Sequence, residues 1–360
     1  MKELRLMKGN EAFAEAAIRA GADGYFGYPI TPQSEVMEYL MAEKPHERTG
    51  MIVLQAESEI AAINMVYGGA ACGKRVLTSS SSPGISLKQE GISYIAGAEL
   101  PCVILNAVRG GPGLGTIQPS QSDYFQSTKG GGHGDYRLIV LAPSSVQEMA
   151  DFAALAFDLA FKYRNPVLIL SDGAIGQMME KVELSEQRPR FTEEEIIKNT
   201  PWATTGKTAD RERNIITSLD LDAHKQELHN INLQAKYKQI EENEVRYEAL
   251  QCEDADYIIV AYGTSARLSQ KAVDIARAKG IKVGLLRPIT LFPFPTKVIE
   301  DLAKRVKGFL SVEMSAGQMV EDVRLAVGKT VKVEHYGRMG GVVPTPGEVV
   351  EALESKIIGG

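Results

Sequence analysis

Short apolar runs of strand length alternate with longer stretches in which small apolar residues recur every three or four positions. Ala12, Phe13, Ala16, Ala17 and Ala20 share one helical face between Asn10, read as an N-cap, and Gly21, read as a stop. The strand Gly24-Tyr25-Phe26-Gly27-Tyr28 follows. The rhythm continues as strand 51–55, helix 59–72, strand 75–78, a helix from about 85 to 97 and strand 101–107. After a glycine-rich loop come strand 138–141, helix 146–163 and strand 166–171. A helix between successive strands lets them lie parallel, and a parallel sheet buries both its faces. The spacing therefore predicts an α/β fold.

Between about 183 and 256 the rhythm gives way to charge-rich sequence, with one solvated helix predicted from Asp222 to Leu250. A second α/β unit follows, with strands at 257–262, 282–286, 308–312 and 330–335 and helices at 265–278, 295–306 and 318–327. The chain thus divides into 1–185, a charged helical connector over 186–255, and 256–360. At 360 residues it is long enough for two cores. Forty basic against forty-six acidic residues leave a net charge of −6, which repels phosphate, and no basic stripe offsets it, so no nucleic-acid partner is expected. The scattered Cys72, Cys102 and Cys252 form neither a disulfide framework nor a Cys-x-x-Cys pair, so no metal site or iron–sulfur cluster is expected on this chain. No apolar run has the length of a signal peptide or the ~20 residues of a membrane span, and a cytoplasmic setting is the expectation.

The polar chemistry gathers where strands end. Tyr28-Pro29-Ile30-Thr31-Pro32-Gln33-Ser34-Glu35 reads as a strand passing into a helix, with Thr31 as N-cap and Pro32 at the first helical position. Such an N-terminus also seats anions, which makes Thr31 a candidate for holding a carboxylate. In Gln55-Ala56-Glu57-Ser58-Glu59 the acids suit the helix dipole, but the small residues from Gly68 to Ala71 imply close packing and a poorly solvated Glu59 able to exchange a proton. Thr78-Ser79-Ser80-Ser81-Ser82-Pro83-Gly84-Ile85 is either a turn or a ligand loop, and without a lysine it is no P-loop. Arg109-Gly110-Gly111-Pro112-Gly113-Leu114 suits a carboxylate, which guanidinium pairs bidentately, or else it is a flexible turn. His133 reads as a loop histidine. The apolar, proline-spaced segment 285–295 is too costly to leave exposed and should pack between domains or subunits.

Together these segments resemble the alpha-type subunit of the 2-oxoacid:ferredoxin oxidoreductases. The matching pieces are Tyr-Pro-Ile-Thr-Pro, the Glu59 helix running to Gly68, the Thr-Ser-Ser…Pro-Gly loop, Arg-Gly-Gly-Pro, and Leu-Arg-Pro-Ile-Thr-Leu-Phe-Pro-Phe-Pro, in family order over nearly the whole chain. The pattern is similar above all to the branched-chain type that acts on 3-methyl-2-oxobutanoate. The resemblance implies a thiamine-diphosphate pyrimidine-binding parallel-sheet domain followed by a transketolase-C-terminal-like α/β domain. It implies that Glu59, rather than Glu57, contacts N1′ of the aminopyrimidine, that Ser80, Pro83 and Gly84 belong to the cofactor loop, and that Thr31 and Arg109 hold the 2-oxoacid carboxylate.

Where many relatives carry serine and threonine after Gly-Pro, this chain has Gly113 and Leu114, which fits a branched aliphatic substrate. The chain lacks the Gly-Asp-Gly…Asn loop that holds Mg²⁺ on the cofactor's phosphates; Gly134-Asp135-Tyr136 and Ser171-Asp172-Gly173 have no downstream asparagine. The resemblance therefore implies a beta-type partner carrying the diphosphate and Mg²⁺, iron–sulfur clusters only on ferredoxin-like and gamma-type partners, and coenzyme A and ferredoxin as co-reactants. The alternatives are a 2-oxoglutarate-specific subunit or, outside catalysis, an anion- or nucleotide-binding module.

Overall fold

The computed structural model describes residues 3–359 apart from Thr208 and Asp210. The larger sheet has seven strands, ordered Thr290–Phe292, Ile139–Leu141, Val167–Asp172, Val103–Val108, Val76–Ser80, Gly24–Gly27 and Ile52–Gln55. All its pairings are parallel except the first, where Thr290 lies opposite Leu141. The strands Val76–Ser80, Val103–Val108 and Val167–Asp172 are buried at every position, as central parallel strands must be. The helices Gly9–Arg19 and Val146–Tyr163 pack on each other, as do Glu59–Ala71 and Ser82–Gly97.

The second sheet is ordered Lys332–Gly337, Gly308–Glu313, Tyr257–Val260, Val283–Pro288 and Tyr247–Leu250, parallel except for the last strand. A separate antiparallel pair joins Glu3–Lys8 to Met179–Leu184.

Several local readings are corrected. Asn10 does not cap the first helix, which starts at Gly9; its buried side chain donates to the Pro32 carbonyl at 2.7 Å and to Glu35 Oε2 at 3.1 Å. The next helix starts at Ser34 rather than after Thr31, so Thr31 is not its N-cap, and the Thr31–Pro32 peptide is cis. The charged helix runs from Ala223 to Asn243 and does not reach Leu250. Glu244 ends it: this buried carboxylate accepts from Lys162 Nζ (2.6 Å), Tyr163 (2.7 Å) and Arg246 (2.8 Å), and the chain then turns into the edge strand Tyr247–Leu250.

The apolar segment packs within the chain. Thr290–Phe292 leaves the second unit and completes the larger sheet, with Leu291 buried. Beside it, Arg287 forms a bidentate pair with Glu148 at 2.5 and 2.8 Å. The junction centres on buried Gln121, whose amide donates to the Tyr262 carbonyl (2.8 Å) and accepts from Ser265 Oγ (2.7 Å) and the Met314 amide (2.9 Å). Asp172 accepts from the Ala174 and Ile175 amides and from Thr264 Oγ1 at 2.9 Å across the junction. Burial raises its carboxyl above the usual range, against the lowering effect of these donors.

Candidate active site

The site forms where the strands Gly24–Gly27, Ile52–Gln55, Val76–Ser80 and Val103–Val108 reach their carboxyl ends, the edge of an open parallel sheet at which ligands collect. Glu59 is the first residue of its helix, behind Ser58, whose hydroxyl caps the helix by accepting from the Ala61 amide at 3.2 Å. The cap turns the two acids in opposite directions. Glu57 is exposed and accepts from Ser58 Oγ, whereas Glu59 is only 6% exposed.

Gly84 lies against Glu59. A Cβ on Gly84 would stand 2.7 Å from Glu59 Oε1 and 2.1 Å from Ser80 Oγ, so only glycine fits there. Ser79 is fully engaged, donating to Gln33 Oε1 at 2.5 Å and pairing with Tyr25 at 2.8 Å. The next two hydroxyls, Ser80 Oγ and Ser81 Oγ, are buried without a hydrogen-bond partner. Buried polar atoms are seldom left so, and Ser80 Oγ, next to the withdrawn carboxyl across Gly84, makes this a place for a polar ligand.

On the other flank of the same helix N-terminus, Ser82 Oγ accepts from the Arg109 amide at 3.0 Å and donates to its carbonyl at 3.3 Å. The Arg109 guanidinium, 8% exposed, donates to the carbonyls of Thr31 and Leu114, each at 3.0 Å, while its Nε is buried and unpartnered. These bonds hold its plane in place and leave donors for a carboxylate. Thr31 is exposed, and it is its carbonyl that meets Arg109. Pro83, Leu87, Arg109, Met314 and Met339 are among the residues around an open cavity of about 790 Å³ between the two units.

The structure thus brings Glu59, Ser80 and Gly84 together on one side of the Ser82–Gly97 helix start, and Thr31, Arg109 and Pro83 on the other. Leu114 is 82% exposed and, like Thr31, is not among the residues around that cavity; each meets Arg109 through its carbonyl, and within this chain nothing sets the Leu114 side chain against a substrate. His133 sits in its loop, 3.4 Å from Ser93 Oγ.

Other residues of the site were not singled out from sequence. Asn106 accepts from the Ser82 amide (3.1 Å) and donates to Asp123 Oδ2 (2.9 Å), bracing the helix start; burial raises the Asp123 carboxyl. Lys88 is wholly buried beneath Glu59. Its position on the helical face shared by Gly84, Ile85 and Ile92 was the available signal: a lysine in an apolar stripe.

Comparison with known proteins bears directly on this geometry. Residues 15–250 match the family model described as pyruvate flavodoxin/ferredoxin oxidoreductase, thiamine diphosphate-binding, and residues 255–349 match that of pyruvate:ferredoxin oxidoreductase core domain II. The chain belongs to this family. It is 55% identical over 337 residues to the ketoisovalerate oxidoreductase subunit VorB of Methanothermobacter marburgensis, covering 94% of this chain and 93% of the relative. It is 35% identical to the 2-oxoglutarate synthase subunit KorA of Archaeoglobus fulgidus over 99% of this chain and all of the relative. Among solved structures, the 2-oxoglutarate:ferredoxin oxidoreductase of Magnetococcus marinus, with 2-oxoglutarate, coenzyme A and succinyl-CoA bound, superposes with a TM-score of 0.87 at 27% identity. That match covers 99% of this chain and 66% of the other. A split-gene transketolase shares the fold, with a TM-score of 0.57 at 12% identity.

The resemblance read from the sequence motifs is therefore borne out, together with the α/β, transketolase-like fold class and membership of an oxidoreductase family that binds thiamine diphosphate. The residues present fit that cofactor: a withdrawn carboxyl, a glycine-shaped cradle and the orphaned Ser80 hydroxyl lie side by side. Among the described residues, no helix is long and apolar enough to cross a membrane.

Proposed function

We propose that this chain is the alpha-type subunit of a cytoplasmic 2-oxoacid:ferredoxin oxidoreductase that converts 3-methyl-2-oxobutanoate, coenzyme A and oxidised ferredoxin to isobutanoyl-CoA, CO₂ and reduced ferredoxin. The observation that carries the substrate is the gap between 55% identity to a ketoisovalerate oxidoreductase subunit and 35% to a 2-oxoglutarate synthase subunit, both at near-complete coverage. 2-Oxoglutarate is the second reading, favoured by the TM-score of 0.87 to an enzyme holding that acid.

Glu59, with Ser80 and Gly84 beside it and Pro83 on the other side of the same helix start, would hold the aminopyrimidine. Its carboxyl would keep or give up a proton at the ring nitrogen N1′; it is buried, and among the described residues no donor bonds it. Arg109, clamped by the carbonyls of Thr31 and Leu114, and Thr31 itself would orient the substrate carboxylate; a guanidinium fixed beforehand loses little entropy on binding. Bound thiamine diphosphate supplies a carbon nucleophile for the 2-oxo group and a sink for the electrons left when CO₂ departs.

The division at 185 and 255 belongs to the same reading, with the first unit as pyrimidine-binding domain and the last as the transketolase-C-terminal-like domain. The diphosphate and Mg²⁺ would rest on a beta-type partner, and the clusters on ferredoxin-like and gamma-type partners. The helices that carry Glu59 and Gly84 expose Ile60, Met65, Leu87 and Tyr94, apolar area that supports a docking partner over the cofactor.

The test is anaerobic, coenzyme A-dependent viologen reduction by the complex purified with its native partners, offered 3-methyl-2-oxobutanoate, 2-oxoglutarate or pyruvate. Preference for the branched acid supports the proposal. Preference for 2-oxoglutarate replaces its substrate, and inactivity with every 2-oxoacid in a cofactor-loaded complex refutes it.

A further inference from the structure

Lys88 occupies a place that packing alone would give to an apolar residue. It lies on the buried face of the Ser82–Gly97 helix between Ile85 and Ile92, with no part of its side chain open to solvent. Its Nζ donates to Thr78 Oγ1 at 3.1 Å and stands 3.4 Å from the carbonyl oxygen of Glu59. Among the described residues no ion pair within 4.0 Å includes it. An ammonium withdrawn from water without a paired carboxylate is costly, and such groups persist where function needs them.

The surroundings name the beneficiary. From the strand Val76–Ser80, Lys88 meets the neutral Thr78; on its own helix, Glu90 is exposed and accepts from Tyr94. The charge that acts on it comes from the neighbouring helix and is Glu59, which opposes the effect of burial. Burial nonetheless pushes the ammonium down to about 8, so its charge is adjustable near neutrality.

We infer that Lys88 is a positioning residue for Glu59: its buried ammonium bonds the Glu59 main-chain carbonyl and Thr78 at the helix start and supplies the charge that the Glu59 side chain faces. The inference rests on the reading of Glu59 as the proton-handling carboxyl. Lys88 touches no reactant and acts only through Glu59. The coupling is reciprocal, so whatever Lys88 does to Glu59 can be read on Lys88 itself.

The experiment is an NMR titration of the full chain carrying side-chain-labelled lysine, with the Lys88 signal assigned by its loss in Lys88→Met. The signal should titrate near pH 8, and Glu59→Gln should lower the midpoint by at least half a unit, roughly threefold in the proton equilibrium. A second readout is calorimetric binding of thiamine diphosphate with Mg²⁺ to the purified complex between pH 6 and 9. Its pH dependence should shift in Lys88→Met and return toward wild type in Lys88→Arg.

A Lys88 midpoint indifferent to Glu59→Gln overturns the inference, as does cofactor binding whose pH dependence ignores Lys88→Met. The two readings fail separately. Full turnover in Glu59→Gln removes the catalytic reading while a measured coupling would stand, and abolished turnover with no coupling removes only the role of Lys88.

Discussion

Replacing Lys88 by methionine should change stability in a pH-dependent way whose size follows from burial. The ammonium is lowered from 10.5 to about 8 in the folded chain. Below pH 8 it is charged both folded and unfolded, and the folded state bears the full cost of that charge. Between pH 8 and 10.5 the folded state loses its proton first, so the unfolded state binds more protons and wild-type stability rises with pH. At about 1.4 kcal/mol per unit the rise is about 3 kcal/mol, most of it reached by pH 10. Lys88→Met, similar in length and apolar, has no such rise. For a cooperative unit of 150–250 residues this corresponds to roughly 6–12 °C in thermal midpoint. Differential scanning calorimetry of both proteins at pH 7 and pH 10 measures it as a difference, in which the other titrating groups cancel. Wild type should gain on the variant by that interval between pH 7 and pH 10, whatever offset at pH 7 the loss of the charge facing Glu59 sets. A difference that stays constant between the two pH values refutes the account of a buried, unpaired ammonium.

Further outcomes follow from the same geometry. Gly84→Ala places a methyl 2.1 Å from Ser80 Oγ and 2.7 Å from Glu59 Oε1, costing about 1–3 kcal/mol of stability and at least about tenfold in turnover; melting and viologen assays check both, and full turnover would contradict the close approach. Gln121→Leu leaves the Tyr262 carbonyl, Ser265 Oγ and the Met314 amide short of a partner, at about 1–3 kcal/mol for each that stays buried; calorimetry should show a clearly lower midpoint, and an unchanged one would count against the junction described. Leu114→Ser should leave the ranking of 2-oxoacids in the viologen assay as it was, because the side chain is 82% exposed; a shift toward 2-oxoglutarate would restore the argument from its apolar character.

The parallel core was legible because its strands are buried on both faces and so read as continuous apolar runs, with helices of 3.6-residue period between them. The strand Glu3–Lys8 escaped notice because Leu4 and Leu6 point to solvent and its partner Met179–Leu184 lies far along the chain. Tyr247–Leu250 was hidden behind a charged stretch that continues helical composition past Asn243; what ends the helix is the three-donor clasp on Glu244, a tertiary contact. Of the candidate site, Glu59, Thr31 and Arg109 were singled out by motif. The shape of the turn at Thr31 was not legible, since it depends on bonds from Asn10 and Gln177 to the Pro32 carbonyl, brought there by helices distant in sequence. The exposure of Leu114 was hidden for a related reason: residue type says nothing about which way a loop side chain points.

The proposed mechanism turns on the buried carboxyl of Glu59. Glu59→Gln keeps the shape and removes the exchangeable proton, so the decisive comparison is anaerobic, coenzyme A-dependent oxidation of 3-methyl-2-oxobutanoate by the purified complex with and without it. The geometry predicts a loss of roughly 10²- to 10⁴-fold in turnover with the complex intact. Turnover equal to wild type in an intact, cofactor-loaded complex would contradict it.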